Sequence, residues 1–194
     1  MLPVAHLKAA FAGRGPKVLL PLLSEHISSN FASFDEMLLG VVNQVRAASV
    51  LYRGLLERCE HGSTFDLVIA GWSDERRRGE TYVLTDHGRY GFPPWTLKDF
   101  GKVLIMPADA ETMGRIRLTP RELEGHLDPV RDGLRILEAQ RHTKGLQGAE
   151  TEPSHGVGGF AQLTTITARE ITTRILKWWP DLIGQKLNPE RVTQ

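Results

Sequence analysis

Residues 66–84 read DLVIAGWSDERRRGETYVL, and this stretch decides the fold that the sequence predicts. The run from Phe65 to Trp72 is short and mostly apolar, residues 73–80 are polar and contain a glycine, and Tyr82–Thr85 is a second β-prone run. Short apolar runs that flank a polar reversal are typical of neighbouring strands. We therefore predict two strands here, and a third over Lys102–Met106.

The residues upstream of this stretch predict one strand and two helices. Residues 4–15, VAHLKAAFAGRG, are typical of a buried strand that ends at a glycine turn around Arg14. Pro16 suits the first turn of a helix that extends to about Ser29. Ser33 and Glu36 form a capping-box pattern, which predicts the start of a long second helix through His61.

Residues 87–101, HGRYGFPPWTLKDFG, predict a long loop that its own aromatic residues hold in place. Loops of this length in a compact domain are either functional or fixed by such contacts. We expect a packed structural loop around Tyr90, Phe92, Trp95 and Phe100. The alternative is a small-molecule site, which would need a pocket lined by Trp95 and Tyr90.

The C-terminal part of the sequence predicts a helix and a hairpin. Thr119, Pro120 and Glu122 repeat the capping pattern and predict a helix to about His142, followed by a linker-like segment over residues 144–159. Residues 158–179 alternate apolar and polar side chains around a turn at 168–170, as in a terminal hairpin with one buried face. We predict a single domain over residues 1–180 and a tail over 181–194.

The composition favours a soluble globular protein without a charged target. Lys and Arg number 24 against 23 Asp and Glu, so no overall field attracts nucleic acid. The single cysteine, Cys59, cannot form an internal disulfide, which favours the cytoplasm. No apolar run reaches the roughly 20 residues that span a bilayer, and no secretory signal precedes the first strand. We expect neither a membrane nor a nucleic acid as partner.

The order of these elements is a strand, two helices, three strands, a helical region and two strands. That order and the local sequence resemble the proteasome-subunit-like branch of the N-terminal-nucleophile (Ntn) hydrolases, in a bacterial and phage group of that fold. The resemblance lies in LPVAHLKAAFAGRG (2–15), FASFDEM (31–37), DLVIAGWSDERRRGETYVL (66–84) and GGFAQLTTIT (158–167). It implies an α+β fold, a four-layer αββα sandwich that is shortened at its N-terminus.

The resemblance does not bring catalytic residues with it. Active members of the family use a Thr, Ser or Cys at the mature N-terminus, where the free amine acts as the base. The present chain starts Met1-Leu2-Pro3, and its first hydroxyl residue, Ser24, lies in a predicted helix. We assign no catalytic residue, and we expect Lys8 and Lys17 to lie at the surface.

Two functions follow from this resemblance. The first is a catalytically silent protein that acts through assembly, either as a homo-oligomer or with another protein. Its location would be the cytoplasm. If it is a phage-associated structural or accessory component, its location would be the virion. The removal of the first strands would leave a sheet edge open for such pairing. The alternative is an amide-bond hydrolase, an Ntn peptidase, whose nucleophile lies upstream of Met1 or was lost.

Each of the remaining candidate residues has both a structural and a functional interpretation. The histidines form no HExxH or similar ligand pattern, so we predict no metal and no cofactor. Asp86-His87 is typical of a turn rather than an acid–base pair. Arg76, Arg77 and Arg78 form a basic tip that would bind an anionic partner, although interleaved acids favour a solvated turn. Trp178 and Trp179 end the last strand, as an interface or as simple packing.

Overall fold

The computed structural model describes residues 1–16, 18–58, 64–101, 103–106, 109–145 and 152–190. The chain combines helices with antiparallel sheets, which confirms the predicted mixture of the two. It divides into two compact units, one of residues 1–101 with 164–172 and the other of residues 102–163 with 173–194. The predicted single domain over residues 1–180 stays a prediction.

The first unit contains a five-stranded antiparallel sheet whose strands lie side by side in chain order. The strands are β1 (Leu2–Val4), β2 (Ala9–Arg14), β3 (Asp66–Ser73), β4 (Arg78–Thr85) and β5 (Lys98–Asp99). The predicted pair over 65–85 is confirmed, with Asp66 opposite Thr85 and Ser73 opposite Arg78.

Two strand predictions were wrong. The single strand over residues 4–15 is a hairpin of β1 and β2, because the 3-10 turn Ala5–Leu7 reverses the chain and Lys8 takes a left-handed conformation (φ 49°). The strand predicted over Lys102–Met106 is absent from residues 103–106, and the third strand is instead β5. Apolar content alone does not show where a short segment finds a partner strand.

Among the described residues, three helices lie between β2 and β3: α1 (Leu19–Ser28), α2 (Phe34–Leu51) and α3 (Arg53–Leu56). The predicted start of α2 is confirmed, because the Ser33 hydroxyl accepts a hydrogen bond from the Glu36 N–H (3.1 Å). The predicted continuous helix is interrupted at Tyr52, whose backbone (φ −93°, ψ 7°) leaves the helical region. The rest of the predicted helix, with Cys59 and His61, extends into residues 59–63, outside the described residues.

The helices cover one face of the sheet. In β3, Leu67 and Ile69 point to this face and pack in one cluster with buried apolar residues of α2, namely Met37, Val41, Val45 and Ala48. At the start of α2, the Phe34 ring occupies the space above Gly71, where any Cβ atom would overlap it. The helix therefore approaches the sheet closely because position 71 has no side chain.

The opposite face of the sheet is also buried in part. Ala10 and Val83 are fully buried but do not belong to the cluster beneath the helices. Each lies next to a residue that does, Phe11 and Leu84 respectively, so alternation directs Ala10 and Val83 to the other side. Central strands of this sheet thus bury side chains on both faces.

The described part of the second unit contains three helices and short strands. The helices are α4 (Ala110–Ile116), α5 (Pro120–Leu123) and α6 (Arg131–His142), and the strands are β6 (Lys144–Gly145), β7 (Ser154–His155), β8 (Phe160–Ile166) and β9 (Ile171–Trp178). Strands β8 and β9 form a two-stranded sheet, which confirms the predicted hairpin. Its tip, residues 164–172, is grouped with the first unit.

The capping box at Thr119 and Glu122 is confirmed, but the helix it opens is only α5. The predicted single helix to His142 is interrupted between Leu123 and Arg131, where Gly125 has a φ of 99°. Helix α4 was not predicted. The segment predicted as a linker contains the β6–β7 pair, and its residues 146–151 lie outside the described residues.

A buried ion pair anchors the base of the hairpin in the second unit. Arg141 of α6 donates two hydrogen bonds to the Asp181 carboxylate, at 2.7 and 2.5 Å. The Gly159 N–H donates to the same carboxylate (2.7 Å), just before β8 begins. Because Asp181 follows β9, this one carboxylate holds both ends of the hairpin to α6.

We predict that Gly71→Ala destabilises the protein, because the new methyl group overlaps the Phe34 ring. Overpacking of this kind costs about 1–3 kcal/mol in the free energy of unfolding, which urea denaturation measures. The matched control is Gly79→Ala in β4, where the nearest atom would lie 4.0 Å from the new Cβ atom. Equal losses in the two variants would contradict the proposed close approach.

Candidate functional site

The basic tip predicted at Arg76, Arg77 and Arg78 forms mostly internal ion pairs. Arg76 donates to Glu80 through Nε (2.7 Å) and to Asp35 through a terminal nitrogen (2.8 Å). Arg78 Nε donates to the same Glu80 carboxylate (2.8 Å). Arg77 is exposed with a left-handed backbone (φ 54°), and it forms no ion pair with any described residue. Two of the three arginines are therefore occupied within the fold.

Asp35 and Glu80 are the buried acids that organise this turn. The Ser73 hydroxyl and the N–H groups of Asp74 and Glu75 donate to Asp35, at 2.6, 3.0 and 3.2 Å. Burial alone would raise the pKa of Asp35, but these hydrogen bonds and the Arg76 charge lower it below its usual value. The hydrogen bond from Arg76 lowers the pKa of Glu80 to about 2, against the effect of burial. Both acids are therefore ionised at neutral pH.

His87 has a different acidic partner from the one that the sequence offered. Its Nε2 donates to Asp66 (2.8 Å), because its Nδ1 accepts from the Arg89 N–H (3.3 Å). Asp86 instead accepts a hydrogen bond from the Phe65 N–H (3.0 Å). Asp66 is 21 residues from His87 in sequence, and only the pairing of β3 with β4 brings the two together.

Tyr90 binds the second oxygen of the same Asp66 carboxylate. Its hydroxyl donates at 2.8 Å, and burial with this hydrogen bond raises the pKa of Tyr90 to about 12. The phenol therefore stays protonated and donates throughout the neutral range. Asp66 thus accepts hydrogen bonds from His87 and Tyr90 through its two oxygens, which ties the loop after β4 to the start of β3.

The aromatic residues of the loop pack as the sequence predicted. The Tyr90 and Phe92 rings lie 6.2 Å apart, and Phe92 and Phe100 lie 6.1 Å apart. Trp95 packs edge-on against Phe65 at 5.8 Å and lines a cleft beside α2. Tyr90 does not line that cleft, so the two aromatic residues proposed for one pocket lie in different environments.

The two tryptophans at the end of β9 also lie in different environments. Trp179 is buried, its indole N–H donates to Glu138 (3.0 Å), and Arg141 lies over its ring at 5.1 Å. Trp178 is 66% exposed, and its ring lies 4.9 Å from that of Phe160. Trp179 is therefore part of the anchor, whereas Trp178 and Phe160 form an exposed aromatic pair.

The hairpin exposes apolar side chains on both of its faces. Ile175 is 43% exposed, as is Phe160, and Ile175 lies three residues before Trp178. Residues at odd spacing in a strand point to opposite faces, so Ile175 lies on the face opposite the aromatic pair. The expectation of one buried face was therefore wrong. We refer to Phe160, Ile175 and Trp178 as the hairpin surface.

The outer edges of the hairpin are open among the described residues, since β8 and β9 pair only with each other. Strand β8, FAQLTTI, has no charged residue, whereas β9 contains Arg174 and Lys177. Charged side chains discourage edge pairing, so β8 is the edge suited to accept a further strand. The alternation of apolar and polar residues in the sequence predicted this hairpin. It did not predict that both faces of the hairpin would remain exposed.

No protein-family model matches the chain, and no curated protein matches it. Among the described residues, no group of three or more His, Cys, Asp or Glu side chains could hold a metal ion. Within the same part of the chain, none of the helices is both long and apolar enough to cross a membrane.

We predict that Arg76→Gln destabilises the protein at pH 7 by about 1–3 kcal/mol, because buried Glu80 loses its charged partner. The pKa of Glu80 is depressed, so its stabilising effect is complete above its unfolded value of about 4.5 and is lost as pH falls toward 2. The stability difference from the wild type should therefore shrink over that range in urea denaturation.

The control for this prediction is Arg77→Gln, at the neighbouring exposed position. It should leave the free energy of unfolding nearly unchanged at every pH. A stability difference for Arg76→Gln that stays constant from pH 7 to pH 2 would contradict the role given to Glu80.

Proposed function

We propose that this protein is a proteasome-like, Ntn-fold protein that acts by assembly with further copies of itself rather than by catalysis. The observation that carries the proposal is the hairpin surface, with Trp178, Phe160 and Ile175 exposed on two faces of one hairpin. An isolated two-stranded hairpin is marginally stable in water, and it gains stability from further strands or a covering layer.

The same features support the four-layer αββα sandwich as the complete fold. The inner strands of such a sandwich are covered on both faces and carry apolar residues on both. Strands β2 and β4 bury Ala10 and Val83 on the face away from the helices. The apolar residues on the two faces of the hairpin fit an inner strand pair in the same way.

A second copy of the chain suits the hairpin surface for two reasons. Strand β8 offers an uncharged edge, and two copies related by a two-fold axis can pair such edges antiparallel. Each copy would then bring its own aromatic pair toward the same interface. Complete burial of a side chain such as Phe or Ile contributes about 1.5–3 kcal/mol, so a few such residues make a substantial part of an interface.

The biological setting in this proposal rests on the sequence resemblance to bacterial and phage members of the fold. In that setting the protein would be a structural or accessory protein associated with a phage or prophage.

We predict that the purified protein is an oligomer, measured by size-exclusion chromatography with light scattering. Trp178→Glu should shift it toward the monomer, because a charge replaces the exposed ring on the hairpin surface. Thr165→Lys should act in the same direction by placing a charge on β8, where the wild-type side chain is exposed.

The matched control is Leu39→Lys, which introduces a charge at a side chain of α2 that is 89% exposed. It should leave the oligomer intact, and all three variants should keep the wild-type circular dichroism spectrum. A wild-type protein that stays monomeric as its concentration is raised would overturn the proposal, as would equal dissociation by Leu39→Lys.

A further inference from the structure

A cleft of about 410 Å³ lies in the first unit, between the helices and one end of the sheet. One wall is a single side of α2 and α3, where Arg46, Val50 and Arg53 follow at helical spacing. The other wall contains Phe65 and Asp86 at the strand ends and Trp95 of the aromatic loop. A volume of this size falls in the range of small-ligand sites, roughly 300–1,000 Å³.

The cleft contains charges of both signs that do not pair with one another. Arg46, Arg53, Glu57 and Asp86 line it, yet none of the four forms an ion pair with any described residue. In the same unit, Asp35 and Glu80 are both paired with Arg76. The cleft therefore differs from the turn, where opposite charges are used to hold the fold.

Two of these charged groups, those of Arg46 and Asp86, are positioned by the protein without being neutralised by an opposite charge. The Arg46 guanidinium lies over the Trp95 ring, 5.3 Å from its centre, which positions the cation without neutralising it. One Asp86 oxygen accepts the Phe65 N–H (3.0 Å), and the other accepts no hydrogen bond from a described residue. Both groups thus keep hydrogen-bonding capacity for a ligand.

The backbone of Trp95 is strained. Its φ of 61° lies in the left-handed region, which bulky residues rarely adopt. The Trp95 N–H donates to the Thr85 carbonyl (2.7 Å), and the ring packs against Phe65, so the surroundings enforce this conformation. Strain of this kind is concentrated at binding and active sites, and here it directs the largest side chain of the loop into the cleft wall.

We propose that this cleft binds a zwitterionic ligand with apolar side chains, namely a short peptide with free termini. The terminal carboxylate would bind Arg46 and Arg53, and the terminal ammonium would bind Asp86 and Glu57. The apolar side chains would contact the aromatic wall of Phe65 and Trp95. A small anion without a cationic group, such as phosphate, suits the site less well, because the two carboxylates would repel it.

The test measures binding of the dipeptide Leu-Phe to the full chain by isothermal titration calorimetry, with N-acetyl-Leu-Phe and Leu-Phe amide for comparison. Leu-Phe should bind, and each capped form should bind about ten- to a hundredfold more weakly, since each loses one charged hydrogen-bonding end. Equal affinity for the three compounds, or no binding of Leu-Phe, would overturn the proposal.

Variants locate the site. Arg53→Gln and Asp86→Asn should each weaken Leu-Phe by about tenfold or more, and the amide oxygen introduced by Asp86→Asn can still accept the Phe65 N–H. The matched control, Arg89→Gln, changes an exposed arginine outside the cleft and should bind like the wild type. Trp95→Phe should remove the change in tryptophan fluorescence that accompanies binding.

Binding of inorganic phosphate serves as a test of whether the cleft is a peptide site or only an anion site. Phosphate binding that Arg53→Gln abolishes, together with unaffected Leu-Phe binding in Asp86→Asn, would show an anion site and overturn the peptide proposal. This test of peptide binding is independent of the proposed assembly, because Trp178 and Thr165 lie outside the cleft. The variants Trp178→Glu and Thr165→Lys should therefore bind Leu-Phe with unchanged affinity.

Discussion

The docking of the first turn of α2 onto the β3–β4 hairpin is the constraint on which the first unit depends. Phe34 fits over Gly71 only because that position has no side chain, and the next residue, Asp35, receives the hydrogen bonds of the hairpin turn. Apolar contact and a buried carboxylate thus act at adjacent positions. Together they fix where the helix begins on the sheet and how the turn at residues 74–77 is folded.

The protein uses its charges in two distinct ways. At the turn, Arg76 lies between two buried acids, and each charge is satisfied within the fold. In the cleft beside Trp95, charges of both signs remain unpaired among the described residues, and one of them is only stacked on an aromatic ring. The nearly neutral overall composition therefore conceals two local environments, one suited to stability and the other to recognition.

The hairpin of β8 and β9 is where stability and function are most closely linked. Its base is held firmly, because Arg141 and Asp181 join α6 to the residues on either side of it. Its surface, however, leaves Trp178 and Ile175 exposed on opposite faces. A well-anchored element with uncovered apolar side chains is the kind of surface that a further layer of structure or a second copy would cover, which is why assembly is the function we propose.

The sequence by itself determined the elements whose signals are local. The two strand runs over residues 65–85 with their polar reversal, the cap at Ser33, the capping box at Thr119 and the last hairpin are each set by neighbours a few residues apart. Tertiary structure alone decided the pairing of β2 with β3, the partnership of Asp66 with His87 and the lining of the cleft. These depend on residues far apart in the chain, because hydrogen bonds and packing between distant strands leave no periodic trace in either segment.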